Sequence, residues 1–320
     1  MIWIEPESVQ VPAPLREAAG GSALVAETLV RRGILTPNTA RAFLDPNAYV
    51  PSDPKDLPDL ALAAERVEQA IRRGEKIVVW GDFDADGQTA TALLLETFQS
   101  LSQLFTHEGS AVSFHIPTRQ DGHGLHREGL AQLVAQGARL IVTCDTGVTA
   151  LDAVVHARDL GAEVIITDHH VPGPELPPAV AVVNPHRLPD GHPLATLPGV
   201  GVAYQLARAL DPGSADRALD LVALGTVADV ATLTGDTRYL VQRGLHALRH
   251  SRRLGLQTLY KLADLNPAGI TEEHVGFVLG PRLNALGRLA DAAAGVTLLM
   301  TEDPTRARLL ASEIEGLNAR

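Results

Sequence analysis

Residues 77–87 read IVVWGDFDADG, a short apolar run followed at once by three aspartates. Consecutive β-branched and aromatic residues predict a strand buried on both faces, and the periodic apolar residues after Gly87 predict a helix. Similar strand-sized runs, alternating with helical patterns, recur at 112–116, 140–143, 164–167 and 181–183. This alternation predicts an α/β protein with a mostly parallel five- or six-stranded sheet flanked by helices.

The composition and the predicted secondary structure of the chain change on both sides of this alternating region. The segment up to about residue 60 is rich in proline and has one helical stretch, 23–32. After residue 213 the strand signal fades, and helices are predicted at 216–227, 238–249, 254–263 and from 290 to the end. No glycine-based cap closes the last helix, so we expect the intact protein to continue into a further domain. The basic run 249–253 is typical of a solvated face.

Composition narrows the kind of protein and the kind of site. With 320 residues, 45% of them hydrophobic, the chain can bury a substantial core. Its apolar runs are too short to cross a bilayer and residues 1–10 lack signal-peptide features, so we expect a cytoplasmic protein with no membrane partner. The single Cys144 excludes an internal disulfide and a Cys-rich zinc site.

The net charge of −11 argues against coating nucleic acid by bulk attraction. It does not exclude a nuclease, because a carboxylate-rich active site is negative until cations fill it.

Three aspartates, Asp82, Asp84 and Asp86, follow the first predicted strand and precede a helix. Such close carboxylates repel one another unless a cation or hydrogen-bond donors compensate, and open parallel sheets bind ligands at this end of their strands. Metal binding is therefore the simplest interpretation. Three alternatives remain open: an EF-hand loop, which would need Glu where Leu93 stands; an aspartyl-phosphate phosphatase, with the first Asp as nucleophile; and a solvated acidic turn without a ligand.

Other candidate ligands occur later in the chain. Asp145 follows the third predicted strand, where a lone aspartate is more often a helix N-cap than a ligand. Asp168, His169 and His170 follow the fourth; neutral imidazole is a common metal ligand, and a neighbouring carboxylate can orient it. Adjacent histidines in an extended chain point to opposite faces, so we expect one direct ligand and one group that donates a proton or contacts a phosphate. Asp229 interrupts an apolar helical run, where an unpaired carboxylate is costly, so it caps a turn or reaches a metal.

Taken in order, these four segments resemble the motifs of the DHH phosphoesterase family, which is named for the Asp-His-His found here at 168–170. Further segments extend the resemblance to the RecJ branch of that family, the single-strand-specific DNA exonucleases. They are GDFDADG at 81–87, LPGVGVA at 197–203, GPRLNALGR at 280–288, RRGI at 31–34 and FLDP at 43–46. The resemblance covers nearly the whole chain, and the combination of motifs is highly specific.

The resemblance implies a site for two Mn²⁺ or Mg²⁺ ions and hydrolysis of single-stranded DNA from its 5′ end, in recombination and repair. The implied metal ligands are Asp82, Asp84, Asp86, Asp145, His169 and Asp229, with Asp145 a candidate to bridge the ions. Asp168 and His170 are implied to be catalytic groups that orient a ligand or face the phosphate. Carboxylates favour Mg²⁺ or Mn²⁺, and the histidine shifts the preference toward Mn²⁺. Two ions can activate a water and stabilise the attacking and leaving oxygens, so no protein nucleophile is needed.

Phosphate or nucleic-acid contacts are predicted from two segments. Arg282, Asn284 and Arg288 lie in the GPRLNALGR segment, where guanidinium groups suit bidentate phosphate contacts and where packing of a helix surface explains them equally well. Arg119 and His123 follow the second predicted strand and are expected to face the same cleft. RecJ relatives often carry Tyr-Gly-Leu where this chain has His123 followed by Gly-Leu, so a stacking role is not carried over to His123.

The resemblance also implies how the chain is divided and what it binds. We expect an N-terminal arm or cap at 1–60, a DHH catalytic domain at 61–300 and, at 301–320, the start of a helix connecting to a second lobe absent from this chain. The implied partners of this monomer are single-stranded DNA, a single-strand-binding protein and a RecQ-type helicase. Without the second lobe, residues 1–320 are expected to bind metal but to degrade DNA weakly. Two other hypotheses remain: a DHH phosphohydrolase of pyrophosphate, polyphosphate or short oligonucleotides, and a degenerate DHH scaffold, which would have lost ligands that this chain keeps.

Overall fold

The computed structural model describes residues 7–105, 111–118, 122 and 124–319. The chain folds as two compact units, Met1–Pro51 and Ser52–Arg320. The predicted division into an arm, a catalytic domain and a connecting helix stays a prediction.

In its described part, residues 7–51, the smaller unit contains three short α-helices around its own small core. They are α1 (Ala13–Ala18), α2 (Ala23–Arg31) and α3 (Pro37–Leu44). Leu15, Ala26 and Leu29 are buried in this core. The side chains of Ser22 and Thr36 each accept a backbone hydrogen bond at the start of the helix that follows. The sequence predicts only α2 of these three, because α1 and α3 are too short to show a clear helical period.

Among the described residues of the larger unit, five parallel strands form one sheet, in the order β2-β1-β3-β4-β5. They are β1 (Lys76–Trp80), β2 (Val112–His115), β3 (Ala138–Cys144), β4 (Glu163–Thr167) and β5 (Ala181–Val183). These strands coincide closely with the five predicted runs. The expected α/β class is therefore confirmed.

Helices cover both faces of this sheet and continue beyond it. They are α4 (Leu60–Arg72), α5 (Ala85–Phe105), α6 (Arg127–Ala135), α7 (Leu151–Asp159), α8 (Gly199–Leu210), α9 (Pro212–Arg217), α10 (Leu219–Ala228), α11 (Gly235–Arg249), α12 (Leu254–Leu262), α13 (Glu272–His274), α14 (Gly280–Leu289), α15 (Ala293–Met300) and α16 (Pro304–Asn318). A π-helical turn, Val275–Leu279, joins α13 to α14. None of the described helices is long and apolar enough to span a membrane.

Alternate side chains of the central strand β3 serve two separate cores. Leu140 and Val142 belong to the larger core, which includes the buried faces of α4, α5 and α8. Ile141 points to the opposite face and packs with Leu130 of α6 and Val154 of α7. Both faces of the sheet are thus buried, which explains why the strands read as continuous apolar runs instead of alternating ones.

The C-terminal part is helical as predicted, but two of the predicted helices are interrupted. The stretch 216–227 is divided between α9 and α10, and the helix predicted from residue 290 is divided between α15 and α16. Proline explains the second break, because Pro304 is tolerated only in the first turn of a helix. Asp303 caps the new helix, and its Oδ1 accepts a hydrogen bond from Thr305 N at 2.8 Å.

Candidate metal centre

The carboxyl ends of three neighbouring strands meet at one edge of the sheet. β1 pairs with β3 and β3 pairs with β4, all in parallel. Asp145 and Asp168 come directly after β3 and β4, and Asp82 comes two residues after the end of β1. The chain leaves β1 toward β2 on one side and returns to β3 on the other, which makes this edge a topological switch point. Open α/β sheets bind their ligands at such a point.

Three overlapping groups of side chains could hold a cation at this edge. Within each group, one ligand atom per residue lies within 4.8 Å of the others. The groups are Asp82, Asp84 and Asp145; Asp86, His169 and Asp229; and Asp145, His169 and His170. The structure thus brings together all six side chains that the sequence predicts as ligands, and it adds His170 to them. Their roles as metal ligands remain predictions.

The buried Asp86 is held by the N-terminus of helix α8. Its Oδ2 accepts a hydrogen bond from Gly199 N at 2.7 Å, and its Oδ1 accepts one from Val200 N at 2.8 Å. These are backbone donors that the first turn of a helix leaves unsatisfied, and the helix dipole also favours a carboxylate there. The role of the LPGVGVA segment is therefore to present these two N–H groups, which the sequence alone does not reveal. Even so, burial and the nearby charges of Asp229 and Asp84 raise the pKa of Asp86 well above its ordinary value.

Asp145 is buried in a backbone conformation that few residues adopt. Its φ of 63° lies in the left-handed region, which aspartate tolerates better than most residues. The chain passes so close to Gly199 that a Cβ there would lie 2.5 Å from the Asp145 side chain. Asp145 Oδ1 lies 3.0 Å from His169 Nε2. Burial, and then the charge of Asp86, raise the pKa of Asp145 well above its ordinary value.

Asp168 links the DHH segment, residues 168–170, to the neighbouring loop by hydrogen bonds. Its Oδ2 accepts a hydrogen bond from Val148 N at 2.9 Å, in the turn that follows Asp145. Its Oδ1 accepts hydrogen bonds from His169 N at 2.7 Å and from the His170 ring Nδ1 at 2.8 Å. Burial alone would raise the pKa of Asp168, but these hydrogen bonds, led by that from His170, hold the pKa below its ordinary value. Asp168 therefore orients the ring of His170, fixes the backbone of His169 and stays ionised.

The two histidines lie together, which the extended-chain argument did not predict. Their rings are tilted against each other with centroids 4.6 Å apart, and both contribute to one group of candidate ligands. The alternation rule fails here because both residues lie beyond Thr167, where β4 ends. Burial, and then His170, lower the pKa of His169 to about 4, so His169 is neutral and able to coordinate a metal. The Asp168 hydrogen bond raises the pKa of the half-exposed His170 to about 9.

Asp84 and Asp229, with Asp82, Asp86 and Asp145, form the acidic rim of the site. Asp84 Oδ1 accepts a hydrogen bond from Gly87 N at 2.9 Å, in the first turn of α5. Asp229 directly follows the apolar helix α10, whose C-terminus turns it toward the other acids. Burial, and then the Asp84 charge, raise the pKa of Asp229 to about 6. The costly carboxylate in the apolar run is thus placed at the rim of the site.

The donor set fits divalent cations. Carboxylates and one neutral imidazole are the ligands that Mn²⁺ and Mg²⁺ prefer. Among the described residues, none donates a hydrogen bond of good geometry to the buried Asp145 Oδ1. The raised pKa values of Asp86 and Asp145 show that the protein alone does not balance this charge. Bound cations would remove that imbalance.

The structure supports the predicted phosphate contacts less directly than it supports the predicted metal ligands. Both Nε and Nη2 of Arg282 donate to the Glu315 carboxylate, at 2.7 and 2.9 Å. Asn284 Oδ1 accepts a hydrogen bond from Ala85 N at 2.7 Å, next to the acidic rim. The side chain of Arg288 is exposed. Arg119 and His123 lie outside the described residues. A role in binding DNA remains a prediction for all five, and Arg282 is already occupied by an ion pair within the chain.

Comparison with known proteins agrees with this geometry. The DHH family, N-terminal domain, matches residues 76–226, which include the sheet and every candidate ligand except Asp229. The chain belongs to the DHH family. This DHH chain is 44% identical over 296 residues to the single-stranded-DNA-specific exonuclease RecJ of Bacillus subtilis, covering 92% of the chain and 37% of that relative. It is 42% identical over 273 residues to the RecJ of Escherichia coli, covering 80% of the chain and 46% of that relative. It thus spans less than half the length of these relatives.

Solved structures give the same result. A crystal structure of exonuclease RecJ bound to manganese matches the DHH chain with a TM-score of 0.74 and 36% identity, covering 82% of this chain and 66% of that one. A structure of RecJ in complex with Mn²⁺ from Thermus thermophilus matches with a TM-score of 0.80 and 32% identity, covering 98% of this chain and 45% of that one. The expected fold and the resemblance to RecJ are therefore confirmed.

Proposed function

We propose that this chain is the catalytic core of a metal-dependent exonuclease that hydrolyses single-stranded DNA from its 5′ end, in recombination and repair. The observation that carries the proposal is the convergence of five carboxylates and two histidines at the switch point of the sheet. The substrate and reaction are supported by relatives named as single-stranded-DNA-specific exonucleases, whose similarity covers 80% to 92% of this chain. Solved RecJ structures with Mn²⁺ or Mg²⁺ support the choice of metal.

The three groups of donors suggest how two ions would be held. Asp82, Asp84 and Asp145 would bind one ion, and Asp86, His169 and Asp229 would bind the other, with Asp145 Oδ1 close enough to His169 to be shared. Ions bound there supply Lewis-acid stabilisation of charge on the phosphate and lower the pKa of a bound water. No residue of the chain needs to act as a nucleophile.

The chain itself contributes orientation and one positive charge. Asp168 holds the backbone of His169 and the ring of His170 by hydrogen bonds, so the His170 ring keeps its orientation. Because its pKa is raised to about 9, His170 carries a positive charge at neutral pH. Its side chain is 59% exposed, which leaves the ring accessible to a phosphate anion. His170 is therefore the proposed phosphate contact or proton donor.

The test is digestion of end-labelled single-stranded DNA in Mn²⁺, comparing the native chain with Asp145→Ala. The variant is expected to lose at least about 100-fold in rate, since losing a direct ligand should cost no less than losing a residue that orients one. Asp264→Ala is the matched control, because Asp264 also has a left-handed backbone, with φ 52°, but is exposed and belongs to none of the groups of candidate ligands. Equal rates for the native chain and Asp145→Ala would refute the site. Labels at the 5′ and 3′ ends report the polarity.

The same assay separates the proposal from the small-substrate hypothesis. Release of mononucleotides from DNA supports the exonuclease, whereas release of phosphate from pyrophosphate without DNA digestion supports a phosphohydrolase. We expect residues 1–320 to digest DNA weakly, because the chain spans less than half of its relatives. A single-strand-binding protein, a RecQ-type helicase, a monomeric state and a cytoplasmic location are further parts of the proposal, and only the RecJ resemblance supports them.

A further inference from the structure

Helix α14 packs directly against the acidic loop of the metal centre, which is the segment 82–86. Asn284, in the middle of α14, accepts a hydrogen bond from Ala85 N through its side-chain Oδ1 at 2.7 Å. Ala85 is the residue between Asp84 and Asp86, two of the proposed ligands. This hydrogen bond joins residues 199 positions apart in the sequence. It therefore fixes the peptide that sets the spacing of two carboxylates.

The hydrogen bond adds a distant cap to a local one. Ala85 is the first residue of α5, so its N–H has no partner within the helix. The preceding residue, Asp84, is an ordinary N-cap whose side chain accepts from Gly87 N, which leaves the Ala85 N–H for another acceptor. Asn284 supplies that acceptor, so the start of α5 is held from another helix as well as by its own cap.

A second set of hydrogen bonds links the acidic loop to α14. The buried side chain of Gln88 donates through Nε2 to Phe83 O at 2.7 Å and to Leu283 O at 3.1 Å. One amide group therefore holds a carbonyl of the acidic loop and a carbonyl of α14 together. The backbones also approach closely: a Cβ added at Gly287 would lie 2.4 Å from Phe83 O. Only glycine at 287 permits this distance without moving the loop.

The far side of α14 is anchored as well. Arg282 donates two hydrogen bonds to Glu315 of α16 and one to Val278 O. Its guanidinium is mostly buried, with a relative side-chain exposure of 12%. Helix α14 is thus fixed on one side to α16 and on the other side to the acidic loop, and it acts as a rigid support between them.

We infer that Asn284 is a positioning residue for the metal centre: with Gln88 and the close approach at Gly287, it sets the position of Asp84 and Asp86. This inference rests on the proposed function, because it assumes that these aspartates bind a divalent cation. It differs from the sequence-based expectation that Asn284 contacts the phosphates of DNA. In the structure, the Asn284 acceptor is engaged with the acidic loop.

The test measures Mn²⁺ binding by calorimetric titration, so it does not depend on activity. Asn284→Ala is expected to weaken Mn²⁺ affinity about 10-fold or more, as is usual when a residue that orients a ligand is lost. Asn266→Ala is the matched control, because Asn266 Oδ1 also accepts a backbone hydrogen bond, from Ala268 N at 3.1 Å, but lies on an exposed turn. The control should bind Mn²⁺ as the native chain does. Thermal unfolding in EDTA reports the stability of each variant.

A second variant tests the same support without touching the hydrogen bond. Gly287→Ala keeps Asn284 but adds a methyl group against Phe83 O, so the loop must move. It is also expected to weaken Mn²⁺ binding, and it carries the test if Asn284→Ala does not fold. In the DNA assay, both variants should need more Mn²⁺ for half-maximal rate, while the KM for DNA stays unchanged.

The outcomes distinguish the inference from the proposed function. If the native chain binds Mn²⁺ and Asn284→Ala binds it equally well, the inference is wrong and the proposed function stands. A raised KM for DNA with unchanged Mn²⁺ affinity would also overturn it, in favour of a phosphate contact. If the native chain binds no Mn²⁺, both the inference and the metal centre of the proposed function fail.

Discussion

The larger unit buries acidic side chains in several places, and two of these places treat negative charge differently. In the first, the buried Asp220 and the partly buried Glu96 meet Arg253, whose Nη2 lies 2.7 Å from Glu96 and whose Nε lies 3.0 Å from Asp220. In the second, the metal centre, Asp86 and Asp145 lie among further carboxylates. Burial alone would lower the pKa of Arg253, but the hydrogen bond to Glu96 and the charge of Asp220 raise it. At the metal centre, burial and neighbouring acids raise the pKa of the carboxyls instead.

The difference separates a structural cluster from a binding site. The fold supplies its own cation to Glu96 and Asp220, so no external ion is needed there. At the metal centre the fold supplies backbone N–H groups to Asp86 and a neutral histidine beside Asp145, while the positive charge of His170 is hydrogen-bonded to Asp168. Negative charge that the chain leaves unbalanced is what a divalent cation would bind.

The largest expected effect comes from removing the internal cation. Arg253→Met should lower the free energy of unfolding by about 3–5 kcal/mol, because it removes the cation that balances the charges of the buried Asp220 and the partly buried Glu96. The measurement is denaturant unfolding in EDTA. Arg72→Met is the control: Arg72 pairs with Glu68 in an exposed i,i+4 ion pair, and its loss should cost about 0.3–0.5 kcal/mol. If both variants lose equally little stability, Arg253 does not balance the charges of Glu96 and Asp220.

Adding the external cation should have the next largest effect. Mn²⁺ at 100 times its dissociation constant should raise the free energy of unfolding by about 2.7 kcal/mol, because it binds the folded chain only. Asp145→Asn should lose most of this gain, whereas in EDTA it should be at least as stable as the native chain, since a neutral amide ends the repulsion at Asp145. The measurement is thermal unfolding with and without Mn²⁺. An equal gain in the variant would place metal binding elsewhere.

The smallest expected effect is a pH dependence in the metal-free chain. The pKa of Asp229 is raised from 3.8 to about 6, so between these values the folded state holds a proton that the unfolded state has lost. Stability should therefore fall as pH rises through this window and stay lower above it. Asp229→Asn should flatten the fall. Unfolding in EDTA from pH 4 to 7 measures the slope, and identical slopes would show that Asp229 is not buried among the other acids.

Much of the fold and the identity of the candidate ligands are predictable from the sequence. The strands are continuous apolar runs, and Asp82, Asp145 and Asp168 lie within two residues of the ends of three of them. In a parallel sheet the carboxyl ends of neighbouring strands lie together, so local pattern is enough to gather these residues. The sequence also marks the break before Pro304, because the polar run TEDPTR at 301–306 interrupts the apolar period, although the predicted helix runs through it.

Contacts between distant segments are not predictable in this way. The capping of Asp86 by Gly199 and Val200 spans more than 100 residues, and the Asn284 bond to Ala85 spans 199. The basic run 249–253 is predicted to be solvated, yet the Arg253 side chain is only 13% exposed. Its partners, Glu96 and Asp220, come from two other helices, and nothing near Arg253 in the sequence indicates them.

Manganese anomalous diffraction from crystals of the chain with bound Mn²⁺ tests the central claim most directly. Two anomalous peaks are expected at the edge of the sheet, one coordinated by Asp82, Asp84 and Asp145 and one by Asp86, His169 and Asp229. A map without a peak within coordination distance of Asp145, or with peaks only elsewhere on the surface, would contradict the claim that these acids converge to hold divalent cations.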